Sequence, residues 1–163
     1  MTLKRVKLKE KNKNNEPKIT NIALRNAEQP VYITFNFSFL TTNSSYNMTN
    51  KDLTNEHQQH FINRIIELSN KEIVSLTART DKKWGLEKIS KTSFGRQDKI
   101  KNMSIHDKFD SSVRKELSGD NFWIFRLCPN NNPYETRIIG KMIDDIFYVM
   151  FFDINHDLYA KRK

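Results

Sequence analysis

The chain has 163 residues, enough for one domain with a real core, and 37% of them are hydrophobic against 29% charged. No apolar run approaches a membrane span, and the first ten residues lack the apolar stretch of a secretory leader. The one cysteine, Cys128, excludes an internal disulfide, so a cytoplasmic protein without membrane contact is expected.

The net charge of +9 is unevenly spread. Residues 1–18 carry seven Lys/Arg against two Asp/Glu, residues 161–163 are all basic, and Arg79 to Lys115 holds eleven Lys/Arg against five Asp/Glu. The rest of the chain is mildly acidic. Basic ends and a basic middle suit a polyanion such as RNA, DNA or a ribosome, although a Lys/Asn tail is often only a solvated tail. Within the basic stretch, Lys82, Lys83 and Arg96 are the expected backbone contacts.

In chain order, residues 1–18 read as a disordered basic arm. Residues 19–160 then form a single α+β domain, and 161–163 a basic tail. Val31, Ile33, Phe35, Phe37 and Phe39 alternate with polar residues, which predicts a strand over 31–39 with one buried face. Residues 41–50 are turn-rich. Leu53, His57, Phe61, Ile65 and Leu68 recur at helical spacing, widened by Ile62 and Ile66, and predict a helix from about Leu53 to Ser69 capped by Thr54 or Asn50. Residues 72–79 continue as a short helix. Residues 81–101 are basic and poorly periodic, an ordered loop or short helix anchored by Trp84, Leu86, Ile89 and Phe94. Ser104 can cap a helix running to Leu117 and stopped by Gly119.

Three strands follow, at 122–128, 134–143 and 146–152. The turn Pro129–Pro133 separates the first two and Asp144-Asp145 the second two. Ile146–Phe152 is nearly all apolar, as in an interior strand covered on both faces. The expected fold is therefore an α+β antiparallel sheet of about four strands, with 31–39 as the fourth, packed against two to three helices.

Arg126 and Arg137 sit inside these apolar runs, and counting outward from the Pro129–Pro133 turn brings them close on adjacent strands. Paired guanidiniums either bind a phosphate or are neutralised structurally, here by Glu135, Asp144 or Asp153. His156 and Tyr159 follow the last strand. They are candidates for proton transfer or base stacking, or else a capped strand end. His57 and His60 would supply half a metal site, but His57 lies on the apolar stripe and no further ligand motif accompanies them. Cys128 reads as a small core residue. Nucleotide-binding glycine loops, CxxC and GxSxG are all missing, so no cofactor is expected.

Leu117-Ser-Gly119, Phe125-Arg126, Arg137-Ile-Ile-Gly140, the apolar run Ile146–Phe152 and the His156/Tyr159 ending occur in this order over the last quarter of the chain. This pattern resembles the C-terminal half of RelE/ParE-superfamily toxins, including the RelE- and YoeB-like messenger-RNA interferases. Asp157 and Leu158 separate the His and Tyr that the family sets side by side. The resemblance implies a metal-independent endoribonuclease acting on RNA or the ribosome, with a protein antitoxin as possible partner. Arg126 and Arg137 would stabilise charge, and His156 or Tyr159 would move a proton. Lys141 and Arg162 would touch phosphate. Glu116 and Glu135 are base candidates by type only. The competing expectation is a non-catalytic nucleic-acid-binding or protein-interaction component of a phage, plasmid or defence system.

Overall fold

A computed structural model describes residues 29–78, 83–94 and 103–158. The arm at 1–18, the segment 19–28 and the tail at 161–163 lie outside the described residues. The elements are strand β1 (Thr34–Asn36), helices α1 (Asn55–Ser69) and α2 (Ile73–Thr77), strand β2 (Glu87–Ile89), a 3-10 turn (Lys91–Phe94), helices α3 (Asp107–Asp110) and α4 (Val113–Leu117), and strands β3 (Phe122–Arg126), β4 (Arg137–Ile143) and β5 (Ile146–Asp153). The strands form one mixed sheet in the order β1-β5-β4-β3-β2. β1 runs parallel to β5, and the other three pairings are antiparallel.

The β3–β4–β5 meander lies where the apolar runs and breaks place it. Asp144 turns the β4–β5 hairpin with φ +54°, a left-handed conformation that Asp tolerates better than bulky residues. The interior strand β5 is buried along almost its whole length because both faces of the sheet are covered. Phe147, Val149 and Phe152 pack with Phe61 and Leu68 of α1 and Leu76 of α2. Tyr148, Met150 and Phe151 pack on the other side with Phe39, Phe94, Met103 and Phe109. Described residues from Val31 onward belong to one compact unit.

Thr54 caps α1 through a capping box, its hydroxyl facing the His57 backbone N–H while His57 Nδ1 faces the Thr54 N–H. The buried stripe is His57, Phe61, Arg64 and Leu68, so Ile62 and Ile66 fall outside it and stay 55% exposed.

Four expectations need correction. The N-terminal strand is three residues long instead of nine, because the Asn36 side chain accepts from the Ser38 N–H at 2.9 Å and turns the chain. Val31 and Phe37 are consequently exposed while Ile33 and Phe39 are buried. That strand also joins the sheet in parallel instead of antiparallel, by a long crossover. A fifth strand comes from the basic stretch read as loop or short helix: Glu87–Ile89 pairs with β3. Finally, the helix expected after Ser104 is two short helices, the first capped by His106. It breaks where the Ser111 and Ser112 hydroxyls bond back to the Asp107 and Phe109 carbonyls. Gly119 ends the second at φ +61°.

At Gly140 the β4–β5 register slips: Ile139 faces Phe151 and Gly140 faces Val149, leaving Met150 as the extra bulge residue. A Cβ on Gly140 would lie 2.1 Å from the Tyr148 carbonyl oxygen. The expected outcome for Gly140→Ala is a loss of about 2–3 kcal/mol in urea unfolding. An unchanged midpoint would contradict this bulge.

Candidate functional site

Arg126 and Arg137 face one another as register partners across β3 and β4, and Arg137 is in turn the partner of Asp153 on β5. The three form a row across the sheet end where β3 finishes and β4 begins. Like charges in directly opposed positions repel, so each guanidinium needs acceptors. Arg137 is 2% exposed, and its Nη1 turns to the Glu135 and Thr136 carbonyls at 2.5 and 3.3 Å. Arg126 is half-buried, and its Nη1 donates to Asn131 Oδ1 in the β3–β4 turn at 3.4 Å.

Asp153 is fully buried. Its Oδ1 accepts from the Asp157 N–H at 2.9 Å and its Oδ2 from the Leu158 N–H at 3.1 Å. Burial pushes its carboxyl up from 3.8 to about 6, the two backbone N–H groups pull it down, and the Asp157 charge pushes it up. The turn that these bonds close carries His156, half-buried and at φ +52°. Tyr159 and Arg162 lie outside the described residues, as do Lys82 and Arg96. Lys83 is exposed beside Trp84. Glu116 and Glu135 are exposed, the former on α4 and the latter just before β4.

Lys141 sits elsewhere. It is 5% exposed, donates to the Gly119 and Asn121 carbonyls at 2.6 and 2.9 Å, and lies 4.3 Å from the centre of the Phe122 ring. Its ammonium is thus committed to the fold and is not offered to a phosphate. Burial lowers its pKa from 10.5 to about 8, with Asp120 opposing.

A polar hollow of about 430 Å³ opens between the 44–52 loop and the 153–157 turn. Tyr46, Asn50, Asp52, Asn155 and Asp157 line it, and neither arginine does. Tyr46 donates to Asp157 at 3.3 Å; burial and then the Asp157 charge push its phenol to about 12. Asp52 and Asp157 outnumber Lys51 in its lining, and that excess of negative charge does not suit a phosphate. The structure therefore aligns Arg126, Arg137 and the His156 turn at one sheet end without gathering the two arginines into this cavity.

His57 is a packing residue. Its ring stacks on Tyr134 at 3.7 Å, Thr54 Oγ1 meets its Nδ1 at 2.8 Å, and burial lowers its pKa. Tyr134 also donates to Glu56, which ties the β3–β4 turn to the start of α1. Among the described residues no group of three or more His, Cys, Asp or Glu is placed to hold a metal. No helix among them is long and apolar enough to cross a membrane. Cys128 is buried.

Arg64 was not anticipated. It is 2% exposed on α1, donates to the Arg126 carbonyl at 3.2 Å and to the Lys83 carbonyl at 3.3 Å, and pairs with Glu67 at 2.5 Å. It anchors the backbone of Arg126 to the helix layer. The sequence signal was present: Arg64 is three residues after Phe61 and four before Leu68, on the buried stripe.

No protein family, curated protein or solved structure matches this chain.

Because the folded pKa of Lys141 lies below its unfolded value, the unfolded state binds the extra proton between pH 8 and 10.5, and stability from this group rises with pH there. Lys141→Met should flatten that rise, as read from urea unfolding at pH 7.5 and 10 against the unmutated protein. Parallel curves for the two proteins would count against a buried ammonium.

Proposed function

We propose that this chain is a toxin-like, metal-independent endoribonuclease directed at RNA or the ribosome. The observation that carries the reading is the Arg126–Arg137–Asp153 row, with the His156 turn following directly from its last member. Cleavage would proceed by attack of a ribose 2′-hydroxyl on the adjacent phosphate. A base takes the hydroxyl proton, cations hold the charge on the phosphorane, and an acid protonates the leaving 5′-oxygen. Arg126 is the guanidinium placed to meet the phosphate, being half-buried and loosely held. Buried Arg137 fixes the electrostatics beneath it. His156 supplies the acid, with Tyr159 as the second proton-transfer group; the base is unassigned. The basic stretch around Lys83 and the basic ends of the chain, Arg162 included, draw the RNA backbone in. The RelE/ParE-like ending supports the same reading, and a protein antitoxin would be its natural partner in the cytoplasm.

A second reading is protein docking. It is favoured by Ile62 and Ile66, one turn apart on α1 and more than half exposed.

Induced expression should arrest growth, and Arg126→Ala or His156→Ala should relieve the arrest while the protein stays soluble. With purified ribosomes and messenger RNA, His156→Ala should slow cleavage by about 10²–10⁴. Soluble unmutated protein that leaves growth and RNA intact contradicts the proposal. Salt-steep RNA binding without cleavage, indifferent to His156→Ala, would instead identify a non-catalytic nucleic-acid-binding protein. Arg137→Ala is a poor probe, since it leaves the buried Thr136 carbonyl and the Glu135 carbonyl without their donor.

A further inference from the structure

We infer that Asp153 is a positioning residue: its buried carboxylate fixes the 154–158 turn and with it the place of His156 at the sheet end.

The turn needs such a clamp. His156 adopts φ +52°, a left-handed conformation that costs a non-glycine residue free energy and persists only where its surroundings hold it. Two contacts hold it. On the far side Leu158 is 1% exposed in the apolar layer that includes Phe39 and Phe109. On the near side the two Asp153 oxygens each take a different backbone N–H, those of Asp157 and Leu158. His156 lies between the residue that clamps and the residues that are clamped. Few side chains can do this: it takes two acceptor atoms on a short stem, one for each N–H.

The surroundings explain why the carboxylate stays at a site where burial alone disfavours its charge. The two turn amides that donate to it oppose the cost of burial. Among the described residues, the titratable groups facing it include Asp157 and His156 of the turn and the Tyr46 phenol across the hollow. Asp153 is 0% exposed, so it cannot touch a bound RNA; any influence it has on chemistry must pass through the turn.

The effect on activity rests on the endoribonuclease reading, whereas the clamp does not, and the test separates them. Asp153→Asn preserves size but replaces one acceptor oxygen by an NH₂ donor, so one of the two amide bonds must break. In ¹H–¹⁵N spectra of the variant, at least one of the Asp157 and Leu158 amides should lose tenfold or more of its exchange protection. The His156 ring resonances and titration midpoint should move with it. RNA cleavage should fall at least tenfold, and Asp153→Asn combined with His156→Ala should be no slower than His156→Ala alone, because the two act as one unit. Unchanged amide protection and an unchanged His156 titration overturn the inference, whatever the activity. A double variant much slower than His156→Ala overturns it as well. Absence of cleavage by the unmutated protein removes the enzymatic reading but leaves the amide and ring measurements decisive. The unmutated protein gives a check that needs no variant: rapidly exchanging Asp157 and Leu158 amides at neutral pH refute the clamp.

Discussion

Everything in this fold depends on burying β5 from both sides. Phe147, Val149 and Phe152 point one way and Tyr148, Met150 and Phe151 the other, so neither face can be left to water. Each fully buried aromatic or aliphatic side chain contributes on the order of 1.5–3 kcal/mol, which makes this strand the largest concentration of hydrophobic stabilisation among the described residues. One cover is orderly: α1 and α2 lie across the sheet with a regular stripe. The other is assembled from short pieces, α3, the 3-10 turn and the chain leaving β1, which between them supply Phe109, Phe94 and Phe39. On that side Lys141 and Arg114 rest on the rings of Phe122 and Tyr148 and on carbonyl or phenol oxygens.

The buried cations show how this sheet accommodates charge. Arg137 and Lys141 both end on backbone carbonyls, and Arg64 does so in part. Carbonyl oxygens at strand ends and turns are already fixed by the fold, so meeting them costs little extra ordering. A guanidinium with several donors can satisfy more than one at once. Arg126 is the exception, half-buried and held by one long bond to Asn131. That contrast, more than the number of arginines, singles it out.

The meander, the two-sided burial of 146–152, the Gly119 stop and, as one of two candidates, the Thr54 cap were legible, because each follows from local pattern or from one residue's conformational habits. The adjacency of Arg126 and Arg137 was legible too, since a short turn sets the register on either side of it. What could not be read were pairings without local signature. β2 is three residues of mixed polarity, and only the open edge of β3 makes it a strand. The direction of β1 depends on the path of over a hundred intervening residues. Arg64 takes a place on the buried face of α1 that Ile65 fills in the apolar pattern, and a guanidinium carries no apolar signal. At the site, the roles of Asp153 and Lys141 depend on which backbone groups lie within reach, and residue type does not say that.

The parallel pairing of β1 with β5 has a consequence for how the chain comes into being. Thr34 meets Asp145 across 111 residues, so the contact pays one of the largest loop-closure entropies available to a chain of this size. During synthesis β1 emerges more than a hundred residues ahead of the strand it pairs with. Until that strand is made, Ile33 and Phe39 have no core to enter, and the flank of β5 stays open in any chain that has not closed. Nascent or stalled copies would therefore stick to each other along that flank, whereas in the closed sheet the described edges are the short strands β1 and β2.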